Sequence, residues 1–245
     1  LMRAGAMSVE FTDLLAGMYS GGSEPEARRL AANLLFDLGH AIGKSDARHF
    51  HAQMGITDPI ERLSIGPVQF AFSGWAFVKI DPESRVMPNE NYYLLYEHPY
   101  SFEADSWNRR GRLATQPVCS MNAGYSSGWC EESFGVPLSA TELSCRAMGH
   151  SACRFLMSPP WRLEEHVARY HKRTPAAGNT SNDVASQLPE FFFRKRLEDK
   201  VRRNQRHIDL LLQQRSEAEQ QLAQKDRELA ELRAQLAAAQ SQLPK

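Results

Sequence analysis

Neither sign of charge is in excess in this sequence: 29 Lys and Arg stand against 29 Asp and Glu over 245 residues, a formal net charge of +0. A chain built to grip nucleic acid or an anionic membrane carries a basic surplus, so direct binding to either is not expected. Cysteine is scarce. Its 4 residues are too few for a disulfide scaffold and suit a metal site or buried thiols in a reducing cytoplasm. No apolar run approaches the roughly 18 residues of a spanning helix, and residues 1–7 (LMRAGAM) lack the charged-then-apolar pattern of a secretory signal, so neither a membrane span nor export is expected.

Catalytic signatures are missing as well. There is no Gly-x-Ser-x-Gly, no His-Glu-x-x-His and no dinucleotide fingerprint. Gly39, Gly43, Lys44 and Ser45 imitate a phosphate loop, but the glycines are one residue too close, and they lie in a helical stretch. Cys130 has no evident His partner, and Glu131-Glu132 reads as a solvated helix face. The expectation is a protein that is not an enzyme.

What is present begins with helices, at residues 9–19, 24–52 and 58–63. After Gly66-Pro67 the composition turns aromatic and β-branched, predicting strands over residues 68–80 (VQFAFSGWAFVKI) and 91–103 (NYYLLYEHPYSFE). Alternation along those strands would put Phe70 with Phe72, and Tyr96 with His98, on one face. A helix follows at 123–134, a strand-and-turn unit at 141–156, and a short amphipathic helix at 161–172. Residues 173–189 have the Pro, Gly, Ser and Asn content of a linker.

The C-terminal segment carries the strongest periodic signal. With Val201, Ile208, Arg215, Leu222, Leu229, Leu236 and Leu243 at heptad position a, Leu197, Asn204, Leu211, Ala218, Lys225, Leu232 and Ala239 fall at d without a stutter. This predicts a coiled coil, a rod about 70 Å long that needs a partner helix, with a homodimer the usual outcome. Polar Asn204, Arg215 and Lys225 weaken the seam, and the basic clusters at 194–196 and 200–206 read as a charged helix entry. From residue 190 onward there are 12 Lys and Arg against 9 Asp and Glu, so a slightly basic rod follows a slightly acidic head and accounts for much of the mean hydropathy of -0.48.

Three cysteines and a carboxylate form the pattern Cys119-x22-Glu142-x2-Cys145-x7-Cys153. Thiolates and carboxylates are zinc ligands, and four close a tetrahedral shell with no place for water, a structural rather than hydrolytic site. Gly149 suits the tight turn between the last two cysteines. Buried thiols are the alternative, and His150 is a substitute ligand.

The stretch Pro117-Val118-Cys119, the pair Gly124-Tyr125 and above all the run from Glu142 through Cys145 and Gly149 to Cys153 closely resemble the 4-vinyl reductase domain of the XylR/DmpR-type aromatic-sensing regulators. The resemblance spans residues 14–161. It implies that Cys119, Glu142, Cys145 and Cys153 hold a structural Zn2+. It also implies an effector cavity beside that site, with Phe70, Phe72, Tyr96, His98 and Trp129 at lining positions. Phe70 and His98 stand where the phenol sensors of the family have a His and a Trp, which leaves His98 as the polar contact and disfavours simple phenol. The plain alternative is that these aromatics are ordinary core.

The expected architecture is α+β: an antiparallel sheet packed with helices, a small zinc-bound subdomain and a long C-terminal coiled-coil helix. The expected division is a tail at 1–13, a sensing domain at 14–161, a short helix and linker at 162–189 and the coiled coil at 190–245. The expected function is a cytoplasmic sensor of a small aromatic or apolar effector that passes its signal to a dimeric rod and to a separate output protein. The ATPase and helix-turn-helix that follow the sensor in the family have no counterpart in this sequence, so their activities are not expected. A ligand-independent scaffold with a zinc head, or an apolar-ligand carrier, are the rival readings.

Overall fold

The computed structural model describes residues 4–18, 24–111, 113–174 and 190–241. The chain divides into two compact units, Leu1–Arg196 and Leu197–Lys245. In the first, a 3-10 turn (Ala4–Met7) leads into α1 (Val9–Met18), α2 (Glu24–Met54) and α3 (Pro59–Phe72). Then come β1 (Ala76–Ile80), β2 (Leu94–Ser101), α4 (Phe102–Arg109), α5 (Ser120–Phe134), β3 (Ser139–Ser144), a 3-10 turn (Arg146–Met148), β4 (Cys153–Ser158) and α6 (Pro160–Arg173). The four strands form one antiparallel sheet in the order β1-β2-β4-β3. The α+β expectation is met among the described residues.

Helix α3 corrects the strand expected at 68–80, of which the last five residues alone are extended. Asp58 caps α3, accepting from the backbone N–H groups of Ile60 at 2.9 Å and Glu61 at 3.0 Å, and Pro59 takes the first helical position, where its missing N–H costs nothing. The helix runs on through Pro67, although that residue cannot donate to the carbonyl one turn back. Its buried residues, Leu63, Gly66 and Phe70, recur with helical rather than alternating spacing. An aromatic, β-branched composition misleads here because the N-cap and the spacing of buried positions outweigh it.

The long helices α2 and α5 meet at backbone contact. Gly39 and Gly43 on α2 face Gly124 and Gly128 on α5, and a Cβ at Gly124 would sit 2.0 Å from the Phe36 carbonyl oxygen. A Cβ at Gly39 would sit 2.2 Å from the carbonyl of Met121. The glycines that imitate a phosphate loop thus serve helix packing. Beside them Lys44 Nζ lies 2.8 Å from Glu131 Oε1 and His40 Nε2 lies 3.3 Å from Oε2. Glu131 is therefore a buried interhelical partner, in contrast to the solvated face expected of it, while Glu132 pairs with Arg48 at the surface.

Both expected limits of the first domain move outward. Ser8 and Val9 are each 1% exposed, and Trp107 Nε1 donates to Ser8 Oγ at 3.2 Å, so much of the expected 1–13 tail belongs to the core. At the other end α6 packs Leu163, His166 and Val167 inward, and Arg154 Nη1 donates to the Tyr170 hydroxyl. The core thus continues beyond residue 161. The linker expected at 173–189 lies almost wholly outside the described residues.

The second unit is built on α7 (Glu190–Ser241), a helix of 52 residues that begins just before the unit boundary. Leu197, Val201, Ile208, Leu211, Leu222, Leu229 and Leu232, all at a or d, are exposed. Register positions 236, 239 and 243 fall where side chains lie outside the description.

Candidate functional site

Cys119 sits at the N-terminal cap of α5, Glu142 in β3, Cys145 just after that strand and Cys153 at the start of β4. Pairing of β3 with β4 sets Glu142 opposite Phe155, two residues from Cys153, and Gly149 turns the intervening chain at φ 92°. The four donor atoms lie within 4.8 Å of one another. The sulfur of Cys153 is 3.6 Å from that of Cys119 and 3.9 Å from that of Cys145. Two sulfurs held about 2.3 Å from a tetrahedral ion stand about 3.8 Å apart, so the spacing fits a metal shell. His150 is exposed and outside the cluster.

The electrostatics point the same way. Burial, reinforced by the neighbouring Cys145, pushes the Glu142 carboxyl well above its usual range, and burial pushes the Cys119 thiol up. Hydrogen bonds from Cys119 and Cys153 hold Cys145 low. Four acidic donors packed out of water cannot all ionise unless a cation joins them. Glu142 Oε2 accepts from the Cys119 backbone N–H at 2.8 Å, but Oε1 is buried without a partner. The Arg146 N–H donates to the Cys153 sulfur at 3.3 Å. These residues could hold a metal ion.

Close by, about 400 Å³ of unfilled space, continuous with solvent, lies between the inner face of the sheet and the helices α3 and α5. Phe70 lines it from α3, Tyr96 and His98 from β2, and Trp129 from α5. Phe72 does not. It is 88% exposed, whereas Phe70 is 3% exposed, because residues two apart on a helix point to nearly opposite sides. The expected lining role of Phe72 is therefore corrected. Sequence reasoning missed Tyr125, Ser126 and Cys130 on the wall. The signal was available, since Tyr125 and Ser126 precede Trp129 by four and three residues and Cys130 follows Ser126 by four, the spacings of one helix face.

His98 is 0% exposed, and neither of its ring nitrogens has a hydrogen-bond partner among the described residues. Burial pushes its pKa down to about 3, so the imidazole is neutral, with one donor and one acceptor idle. Aromatic rings surround it: Phe155 at 4.5 Å, Tyr96 at 5.4 Å and Phe70 at 5.7 Å between centroids. The Tyr96 hydroxyl is by contrast satisfied, 2.6 Å from Ser126 Oγ. Burial raises the Cys130 thiol to about 12, which leaves it unreactive.

No curated protein matches this chain. Among solved structures, the phenol-responsive sensory domain of the transcription activator PoxR with phenol is similar at 23% identity and a TM-score of 0.58, covering 72% of this chain and 84% of that one. A vinyl-4-reductase family protein from Methanocaldococcus jannaschii is 21% identical, with a TM-score of 0.36 over 61% of this chain and 74% of the other. A trafficking protein particle complex subunit 3 from Naegleria fowleri, covalently bound to palmitic acid, is 12% identical, with a TM-score of 0.41 over 63% and 93%. The PoxR likeness shows that the fold is that of a phenol-responsive sensory domain. The family model of the 4-vinyl reductase domain matches residues 104–159, the stretch that contains Cys119, Glu142, Cys145, Cys153 and all of α5. The resemblance drawn from the cysteine motif is met, and residues 104–159 of this chain are a 4-vinyl reductase domain.

Proposed function

We propose that this protein is a non-catalytic sensor of a small aromatic or similarly apolar molecule, acting in regulation. The observation that carries the reading is His98, a neutral imidazole buried among aromatic rings with both nitrogens unpartnered. An unsatisfied buried polar group costs stability, about 1–3 kcal/mol, unless something pairs with it. A ligand that presents an apolar body and one hydroxyl or similar group would fill the cavity and satisfy the imidazole. The similarity of fold to a phenol-responsive domain supports the same class of effector.

In this reading Cys119, Glu142, Cys145 and Cys153 hold zinc. Bound there, the metal supplies cross-linking of β3, β4 and the start of α5 rather than a reactive water, because the four donors complete its shell. The apolar seam of α7 pairs with a second copy, and the dimer relays the effector's presence to an output protein. A helix of 52 residues with a sustained uncovered heptad stripe supports the pairing. Among the described residues no helix is long and apolar enough to cross a membrane.

Isothermal titration of phenols, alkylbenzenes and biphenyls into the metal-loaded chain tests the sensor. Saturable heat that disappears in His98→Ala is the expected result. Heat unchanged in that variant would remove His98 from the site, and absence of binding across the series would favour a ligand-independent scaffold.

A further inference from the structure

Along α7 the seam residues Leu197, Val201, Ile208, Leu211, Leu222, Leu229 and Leu232 are exposed in the single chain, an apolar stripe that a partner helix would cover. We propose that the partner is a second copy of this chain lying parallel and in register. The inference rests on the coiled-coil reading above and adds the direction of pairing, which the heptad pattern decides once the polar seam residues are placed.

In the parallel arrangement every seam residue meets its own copy. Asn204 meets Asn204, and each amide can donate to the other's carbonyl, satisfying both polar groups inside the seam. The antiparallel arrangement that overlaps the helices fully sets Leu211 against Leu229 and Ile208 against Leu232, which is acceptable, but it sets Asn204 against the leucine at 236 on both sides. Two amides are then buried without partners. The basic seam residues do not discriminate. Arg215 and Lys225 each meet themselves in one arrangement and each other in the second, two like-charge layers in both.

The rim decides further. Arg215 Nε reaches Glu219 Oε1 on its own helix at 3.2 Å, drawing the guanidinium out to the edge of the seam. Glu219 occupies an e position, and in the antiparallel arrangement e faces e, so Glu219 would lie against Glu219. In the parallel arrangement each g position faces the e position of the following heptad. Glu228 then faces Arg233, an opposite-charge pair formed twice by symmetry, and every other such pair along the rod contains an uncharged residue. Parallel pairing brings together the two Glu190 ends of α7.

Disulfide trapping in the full metal-loaded chain tests this. Leu211→Cys alone, under mild oxidation, is expected to convert largely to a covalent dimer, with the unsubstituted chain as the uncrosslinked control. Glu228→Arg should weaken the dimer, and Glu228→Arg with Arg233→Glu should restore it. If Leu211→Cys and Leu229→Cys chains crosslink to each other but neither crosslinks to itself, pairing is antiparallel and the proposal is overturned. A monomer by sedimentation velocity at all concentrations would overturn the pairing on which it stands, a result distinguishable from the wrong crosslink pattern.

Discussion

The Ser101 hydroxyl lies 3.1 Å from the sulfur of Cys119. Its oxygen already accepts from the Asn122 side-chain amide at 2.9 Å and from the Ala104 N–H at 3.4 Å, so its proton is the one group left to give to the sulfur. A hydroxyl that donates to a thiolate withdraws charge from it and fixes its direction. Ser101→Ala should therefore weaken metal binding by about 10–100-fold. In the cobalt-substituted protein it should shift the sulfur-to-metal charge-transfer bands while leaving far-UV circular dichroism unchanged. Unmoved bands would mean that Ser101 merely fills space.

Metal removal should cost the fold more than a bound effector adds. With no cation, Glu142 Oε1 is buried without a partner and the three thiols crowd together. A strong chelator is expected to lower Tm by about 10 °C or more, since a few kcal/mol moves a domain of this size by that amount. Elemental analysis of the protein purified from cells should give one zinc per chain. A chain free of metal that melts at the same temperature would refute the structural role.

His98 should show a trade between stability and binding. His98→Phe replaces an imidazole with two idle nitrogens by an apolar ring of similar size, and we expect a gain of about 1–3 kcal/mol in urea unfolding together with loss of effector binding. The pH dependence carries a second signature. A folded pKa near 3 lies below the unfolded value of 6.5, so below pH 6.5 the unfolded chain binds the extra proton. Stability supplied by keeping His98 neutral is full above pH 6.5 and falls as pH drops toward 3. In His98→Phe that part of the acid slope should vanish, and the difference between the two stability curves isolates it from the carboxylates.

The two phenylalanines of α3 separate the cavity from the surface. Phe70→Ala opens the wall and should alter effector affinity and lower stability by about 3 kcal/mol. Phe72→Ser should leave both within error, because its side chain is in solvent. Equal effects on binding from the two substitutions would restore the strand-like placement that the sequence suggests.

Close packing of α2 on α5 predicts steep intolerance at Gly124. A methyl group there meets the Phe36 carbonyl at 2.0 Å, backbone that cannot swing aside, so Gly124→Ala should cost about 3 kcal/mol or more or prevent folding. Gly17, in α1 with nothing within 4 Å of its absent Cβ, serves as the control. There the same change should be neutral or stabilise by up to about 1 kcal/mol.

The metal cluster was legible because its ligands follow from residue type and spacing, and Gly149 marks the turn that brings Cys153 back beside Cys145. The inner face of β2 was legible from alternation, which pairs Tyr96 with His98. The first cavity wall was misread. Residues 68–72 have strand composition, but what decides their conformation lies ten residues upstream at the Asp58 cap and across the core at Trp129, whose ring fills the room that a Cβ on Gly66 would need. The burial of Val9 and Glu131 was hidden for the same reason. Each depends on a partner distant in sequence, such as Lys44 for Glu131, that no local window contains.

The glycine contacts between α2 and α5 bear on how the cavity can respond to what enters it. Two helices already touching backbone to backbone cannot close further, and parting them would open the contacts along their whole crossing. The wall opposite is α3, in which Pro67 leaves one carbonyl without its usual helical donor and Gly74, at φ 76°, ends the helix just past Ser73. Effector size is thus met by a stiff jaw and a yielding one. An effector too large for the space in this structure would register first as a displacement of α3, carrying Phe70 away from His98.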